Sequence, residues 1–188
     1  MSDLPLLQVI VGSTRPGRAG FPIAQWFYDI ASARDDFDVE FVDLAEVNLP
    51  LFDEPVHPVR REYVHEHTIN WSRIVDRADA YVFVVPEYNH SMNAATKNAI
   101  DFLHWEWVYK PYSIVCYGGA SMGLRAATAL KPVLDQLYMT WCGDVSIPLI
   151  TTPVVDGIFN ANDILVDAST NVLNELAKLT PVLKQLRS

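Results

Sequence analysis

The sequence predicts an α/β protein built on a doubly wound parallel sheet of five strands. Two observations lead to this fold class: five short apolar runs, and longer intervening stretches in which apolar residues recur at helical spacing. Because parallel strands need crossover connections, the alternation places helices on both faces of one sheet. Half of the 188 residues are apolar and neither repeats nor linkers interrupt them, so we expect a single domain over residues 1–188.

Each predicted strand is a short apolar run. LPLLQVIVG at residues 4–12 forms the first, and FDVEFVDL at residues 37–44 forms the second by alternating apolar and polar residues. AYVFVVPEYN at residues 80–89 is the most apolar and is therefore expected at the centre of the sheet. The set is completed by PYSIVCYGG at residues 111–119 and VSIPLIT at residues 145–151.

The predicted helices follow the strands along the chain. They cover residues 21–35, 62–79, 92–105, 124–139 and 162–186. Residues 48–60 are rich in proline and predict a surface loop. Pro132 is expected to bend the fourth helix, and Pro181 is expected to kink or break the fifth.

The charge balance excludes several classes of partner. The formal net charge is -9, whereas a nucleic-acid binder carries a basic patch, and docking on an anionic membrane is equally disfavoured. No apolar run approaches the roughly 18 residues that a membrane span requires. Cys116 and Cys142 lie far apart without the spacing of a metal site, so we expect buried thiols, no metal, and a cytoplasmic protein.

Three polar loops leave the carboxyl ends of predicted strands, where sheets of this class bind their ligands. They span residues 12–20, 86–91 and 118–123, and all are rich in Gly, Ser, Asn or Arg. Their coincidence with the strand ends predicts one shared site.

The first loop nearly matches the Walker A phosphate loop. In GSTRPGRA, residues 12–19, Arg18 stands in place of the lysine and Ala19 in place of the Mg²⁺-binding Ser or Thr. Hydrolysis of a nucleoside triphosphate is therefore not expected, but glycines and the amides of the next helix still suit a metal-free phosphate. The structural alternative is a Gly/Pro turn with two solvated arginines.

Four side chains of this loop can bind a phosphate. Ser13 and Thr14 carry hydroxyls that donate hydrogen bonds, and Arg15 and Arg18 can donate charge-assisted ones. A phosphate held without a metal indicates a phosphorylated cofactor.

The second loop suits a planar heterocycle such as isoalloxazine. Within residues 86–91, Tyr88 offers a flat aromatic face and Asn89 an amide for in-plane hydrogen bonds. The alternative is a helix N-cap at Ser91 with Asn89 in a turn. The third loop, YGGASMG at residues 117–123, lets backbone approach the other rim of the same ring.

Three segments together resemble the NADPH-dependent FMN reductase family of flavodoxin-like proteins. They are GSTRPGR, PEYNHSMNAATKNAIDF and YGGASMGLRA, and the resemblance runs from about residue 6 to about residue 150. It implies a flavodoxin-like three-layer sandwich with strand order 2-1-3-4-5 and one non-covalently bound FMN in each subunit. It also implies homodimers that can pair into homotetramers.

The resemblance also implies the residues of the FMN site. For the phosphate these are Ser13, Arg15, Arg18 and the amides of Gly20, Phe21, Pro22 and Ile23. For the ring they are Pro86, Glu87, Tyr88, Asn89 and His90, with Gly119 and Ser121 on the remaining side.

The implied activity is an NAD(P)H-dependent reductase. NADPH or NADH would pass hydride to the flavin, and a quinone, azo compound, free flavin or similar small molecule would then take the electrons. His90 is the candidate proton donor, with a plain positional role as the alternative. Two other functions stay open: a flavodoxin-type electron carrier without a pyridine-nucleotide reaction, and a non-catalytic module that binds FMN or another phosphoryl ligand.

Overall fold

Five strands lie side by side in one parallel sheet. The computed structural model describes residues 4–187, and the strands are β1 Leu6–Val11, β2 Asp38–Asp43, β3 Ala80–Tyr88, β4 Pro111–Gly118 and β5 Thr140–Pro148. Their order in the sheet is β2-β1-β3-β4-β5, and every neighbouring pair is parallel. The fold class and the strand order are confirmed, with the apolar β3 at the centre.

Across residues 4–187, six α-helices connect and cover the strands. They are α1 Gly20–Ser32, α2 Leu44–Val47, α3 Glu66–Asp76, α4 Ala94–Asp101, α5 Leu124–Asp135 and α6 Asp163–Lys184. Helices α1 and α6 pack on one face of the sheet with Val9, Val84 and Val115, whereas α3, α4 and α5 pack on the other with Ile10 and Phe83. The result is the expected three-layer sandwich. Within the described chain no helix is both long and apolar enough to cross a bilayer.

The last strand begins earlier than predicted. β5 starts at Thr140, five positions before the predicted start at residue 145, and ends at Pro148. Gly143 adopts a φ of 130° where the pairing with β4 slips between Tyr112 and Ile114, so the strand carries a bulge there. Gly143 and Asp144 together are typical of a turn. The sequence pattern therefore placed the start of the strand too late.

Helix ends also differ from the prediction. Helix α3 begins at Glu66 because the preceding residues are extended, with the amides of Val64 and His65 donating to the Glu54 carboxylate over 3.0 and 3.1 Å. Helix α6 continues through Pro181 to Lys184, so the predicted break is wrong. The short hairpin of Val154–Val155 and Ile158–Phe159 has no counterpart in the sequence prediction.

Two tryptophans after α4 take different roles. Trp107 is fully buried in the cluster under α3, α4 and α5, so it is a core residue. Trp105 is 48% exposed, and its indole N–H donates to the Val59 carbonyl over 2.7 Å.

Candidate functional site

The three polar loops meet at one edge of the sheet. Strands β1, β3 and β4 are neighbours, so the loops that leave their carboxyl ends are adjacent. Strand β2 lies on one side of β1 and strand β3 on the other, so the strand order reverses beside β1. The carboxyl end of β1 is therefore the topological switch point of the sheet. The Asn93 amide donates to the Gly12 carbonyl over 2.7 Å and ties the start of α4 to the first loop.

The first loop ends in a helix terminus that has no side-chain cap. Ala19 precedes α1 and cannot cap it, and the first turn of α1 contains no acidic residue. Unpaired N–H groups and the positive end of the helix dipole therefore remain for a ligand anion. The first loop packs closely against α4, because a Cβ on Gly12 would lie 2.1 Å from the Thr96 hydroxyl oxygen. These features fit a phosphate group.

Not all of the predicted amides are available for a phosphate. Pro22 has no N–H group, and the Ile23 amide donates to the Ala19 carbonyl over 3.3 Å. The predicted set of four therefore reduces to Gly20 and Phe21 at the helix start. Thr14 and Arg15 are exposed beside them, while Ser13 is buried and its hydroxyl lies 3.3 Å from that of Tyr88.

Arg18 is held by a buried carboxylate. Its guanidinium forms an ion pair with Asp43, whose side chain is only 3% exposed, and it lies 5.7 Å from the Phe21 ring centroid. The other carboxylate oxygen of Asp43 accepts the Ala45 amide over 2.9 Å at the start of α2. The Arg18 Nε is buried and has no partner among the described residues, so donor capacity remains for an anion.

The second loop is a tight hairpin. Glu87 and Tyr88 pair antiparallel with Met92 and Ser91, and the turn consists of Asn89 and His90. Their φ angles of 49° and 65° are both positive, as a two-residue type I′ turn requires. Ser91 is part of this hairpin and the N-cap of α4 is Asn93, so the alternative N-cap at Ser91 is wrong. Pro86 is buried, while Tyr88, Asn89 and His90 are exposed.

Glu87 points to the third loop and joins it to the hairpin. Its carboxylate accepts the Arg125 amide over 3.1 Å and the Arg125 guanidinium over 3.3 Å, at the N-terminus of α5. Burial alone would raise the pKa of Glu87, but hydrogen bonds from Ser121 and Arg125 outweigh burial and lower it. The side chain is only 7% exposed, so its carboxylate serves to connect the hairpin with the start of α5.

Removing the charge of Glu87 is expected to destabilise the fold in a pH-dependent way. Glu87→Gln should lower the free energy of unfolding by about 1 to 2 kcal/mol at pH 7, because two hydrogen bonds lose their charged acceptor. Since the folded-state pKa is lowered, this contribution is present above the ordinary value of 4.5 and is lost as pH falls through the folded pKa.

Urea unfolding at pH 7 and at pH 4 measures this effect. The difference between wild type and Glu87→Gln should shrink at the lower pH. Asp167→Asn, on the exposed side of α6, is the control and should show no such trend. A difference that is equal at both pH values would contradict the assigned role of Glu87.

The third loop leaves open space beside the hairpin. Gly119 and Ala120 are exposed, and a Cβ on Gly119 would meet no atom within 4 Å. Ser121 and Met122 are half-buried, and Met122 adopts a φ of 56° just before Gly123, the N-cap of α5. Backbone at Gly119 is therefore accessible to a ligand.

Sequence reasoning missed Asp43, Asn93 and Tyr117. Asp43 ends β2, whose carboxyl end adjoins the switch point, and Asn93 lies within the quoted motif PEYNHSMN. Both carried a signal, because a polar residue at a strand end or within a motif is a candidate ligand or brace. Tyr117 directly precedes the third loop, but nothing in the sequence shows that its hydroxyl reaches the start of α1.

A parallel sheet with an uncapped helix start at its switch point, beside a hairpin with an exposed tyrosine, is typical of the flavodoxin-like α/β class. Residues 5–151 match the NADPH-dependent FMN reductase family, and the chain belongs to that family. It is 33% identical to the NAD(P)H-dependent FMN reductase ntnL of Nectria sp over 187 residues, which cover 96% of this chain and 92% of the relative. A quinone reductase of Pseudomonas putida is 30% identical over 74% of each chain.

A solved structure shows the same architecture. FerB, a flavoenzyme NAD(P)H:(acceptor) oxidoreductase from Paracoccus denitrificans, superposes with a TM-score of 0.72 at 20% identity, covering 94% of this chain and 99% of FerB. Membership of the family confirms three predictions: the chain is an oxidoreductase, its cofactor is FMN, and its co-substrate is NAD(P)H.

Proposed function

We propose that the three loops at the switch point form the FMN site. Ser13, Thr14, Arg15 and Arg18 and the amides of Gly20 and Phe21 would hold the phosphate. The exposed hairpin residues Tyr88, Asn89 and His90 would border the ring on one side and Gly119 on the other. One observation carries this proposal: the start of α1 is left without a side-chain cap or an acid, next to two arginines in an acidic chain.

The chain's own residues would orient and shield the reacting groups. Bound FMN would supply the redox chemistry that links oxidation of NAD(P)H to reduction of an acceptor. Glu87 and Asn93 lock the loops in place, and the hairpin turn supplies rigid backbone polar groups. The His90 imidazole, exposed at the tip of the turn, is the proposed proton donor to the reduced acceptor.

The open rim favours flat, conjugated acceptors. Tyr88 is 38% exposed and presents an aromatic face beside the site. Planar quinones and azo compounds stack on such faces. Because the hairpin and the third loop are exposed to solvent, oxidised NAD(P) can leave before the acceptor enters. We therefore propose a quinone or azo compound as the acceptor class, in line with the quinone reductase to which the chain is similar.

We also propose that the chain is a cytoplasmic homodimer or homotetramer. Leu51 is 82% exposed and Phe52 is 40% exposed, next to a groove lined by Ile100 of α4, Leu103 just after it and Val133 of α5. Exposed apolar surface of this kind is typical of a subunit interface. Both cysteines are free thiols, which supports a reducing compartment.

Anaerobic titration with NADPH tests the proposed function. The protein loaded with FMN should lose its yellow colour when NADPH is added and regain it when a quinone follows. FMN at a hundred times its dissociation constant should stabilise the fold by about 2.7 kcal/mol. Binding without bleaching would indicate an electron carrier, and a chain that gains no stability from FMN would not be a flavoprotein.

A further inference from the structure

The Tyr117 hydroxyl is a buried polar atom without a well-formed hydrogen bond to the described residues. Tyr117 lies near the end of β4 and is 4% exposed. Within the described part of the chain its hydroxyl oxygen makes no hydrogen bond of ordinary length and angle, although the Ser13 hydroxyl lies close enough to act on its pKa. A buried tyrosine normally finds a partner for its O–H, because an unpaired buried hydroxyl keeps the full cost of leaving water. An orphaned hydroxyl therefore indicates a ligand group that completes the site.

This hydroxyl lies directly against the start of α1. A Cβ on Gly20 would stand 2.4 Å from the Tyr117 oxygen and 3.4 Å from the Ser13 Cβ. Gly20 is the first residue of the uncapped helix, so two hydroxyl side chains and the helix terminus border one position. The absence of a side chain at Gly20 is what leaves room for the phenol there.

The charges around Tyr117 favour an anion. Burial raises the pKa of Tyr117 above its ordinary value, so the phenol stays protonated and remains a donor. The Ser13 hydroxyl, and after it Arg15 and Arg18, lower the pKa of Tyr117, which places its hydroxyl beside Ser13 and within the positive field of the first loop. A neutral donor in a positive field is suited to an anionic acceptor.

We infer that the Tyr117 hydroxyl donates a hydrogen bond to the phosphate of the bound cofactor and so favours FMN over riboflavin. This inference rests on the proposed function, because it requires the FMN phosphate at the start of α1. The residue acts in binding and takes no part in the transfer of electrons.

The variant Tyr117→Phe tests the inference, since it removes only the hydroxyl. Its dissociation constant for FMN should rise about tenfold or more, as for a lost hydrogen bond to a charged group. Its dissociation constant for riboflavin, which has no phosphate, should not change. Tyr112→Phe is the matched control: Tyr112 is buried on the same strand but faces the other layer, where its hydroxyl lies 3.4 Å from Asp135.

Thermal melting of the apo-proteins provides a second readout. Tyr117→Phe should melt close to wild type, because the hydroxyl loses only a poorly aligned contact with Ser13. Inorganic phosphate should raise the melting temperature of wild type more than that of the variant. If Tyr117→Phe lost equal affinity for FMN and riboflavin, or lost none for either, the inference would be wrong. The proposed function would still stand as long as wild type binds FMN. Folded wild type that fails to bind FMN would overturn both.

Discussion

Gly123→Ala is expected to lower the free energy of unfolding by about 3 kcal/mol or more, the largest effect on stability at the site. Gly123 has a φ of 84°, where an L-residue is strained. An alanine Cβ would also lie 2.3 Å from the Tyr117 amide nitrogen and 2.7 Å from the Cys116 carbonyl carbon. Both are backbone atoms of β4, so relief requires the strand or the start of α5 to move.

The clash also reaches the cofactor site. Tyr117 carries the orphaned hydroxyl, and the third loop runs from Gly118 to Gly123, so a displaced β4 would loosen both. We expect the variant to bind FMN weakly even at temperatures where it remains folded. Urea unfolding measures the loss of stability, and flavin fluorescence measures the loss of affinity.

Gly119→Ala is the matched control for this prediction. Gly119 lies in the same loop, its φ is not positive, and its Cβ would meet no atom within 4 Å. Its stability should stay within about 0.5 kcal/mol of wild type, as for most exposed substitutions. Equal losses of stability in the two variants would show that any methyl group added to the third loop is destabilising. Contact with the β4 backbone would then not be the cause of the loss in Gly123→Ala.

The fold could be predicted because its determinants are local. The apolar run of β3 and the helical spacing in α1 are properties of neighbouring residues, and parallel strands leave few ways to connect them. The position of the site follows from the same reasoning, since the polar loops at residues 12–20, 86–91 and 118–123 occupy the strand ends that meet at the switch point.

The internal bracing of the site could not be predicted, because it depends on partners distant in sequence. Glu87 was expected beside the ring, yet its carboxylate binds Arg125, 38 positions later. Arg18 was expected to bind the phosphate, and its additional pairing with Asp43, 25 positions later, gave no signal. The sequence indicates which side chains are polar, but only the packing of β1, β2 and α5 decides which of them reach one another.

Removing Arg18 is expected to have two separate effects, on FMN affinity and on stability. Arg18→Met should weaken FMN binding by about ten- to a hundredfold, because a charge-assisted hydrogen bond to phosphate is lost. It should also destabilise the fold, because the buried Asp43 carboxylate loses its cation. Loss of FMN from this variant alone therefore does not show that Arg18 touches the phosphate.

The double variant Arg18→Met with Asp43→Asn separates the two effects. Asparagine keeps an oxygen to accept the Ala45 amide but carries no charge, so it no longer needs a cation beside it. Stability should recover toward wild type in the double variant, as measured by urea unfolding in a double-mutant cycle. FMN affinity should stay low, because no guanidinium remains.

Asp43→Asn by itself completes the cycle. Arg18 keeps its charge in this variant and loses only the carboxylate that orients it, so FMN affinity should fall much less than in Arg18→Met. If the double variant instead regained the FMN affinity of wild type, the arginine would act only by neutralising Asp43. The phosphate would then depend on Arg15, the loop hydroxyls and the amides at the start of α1.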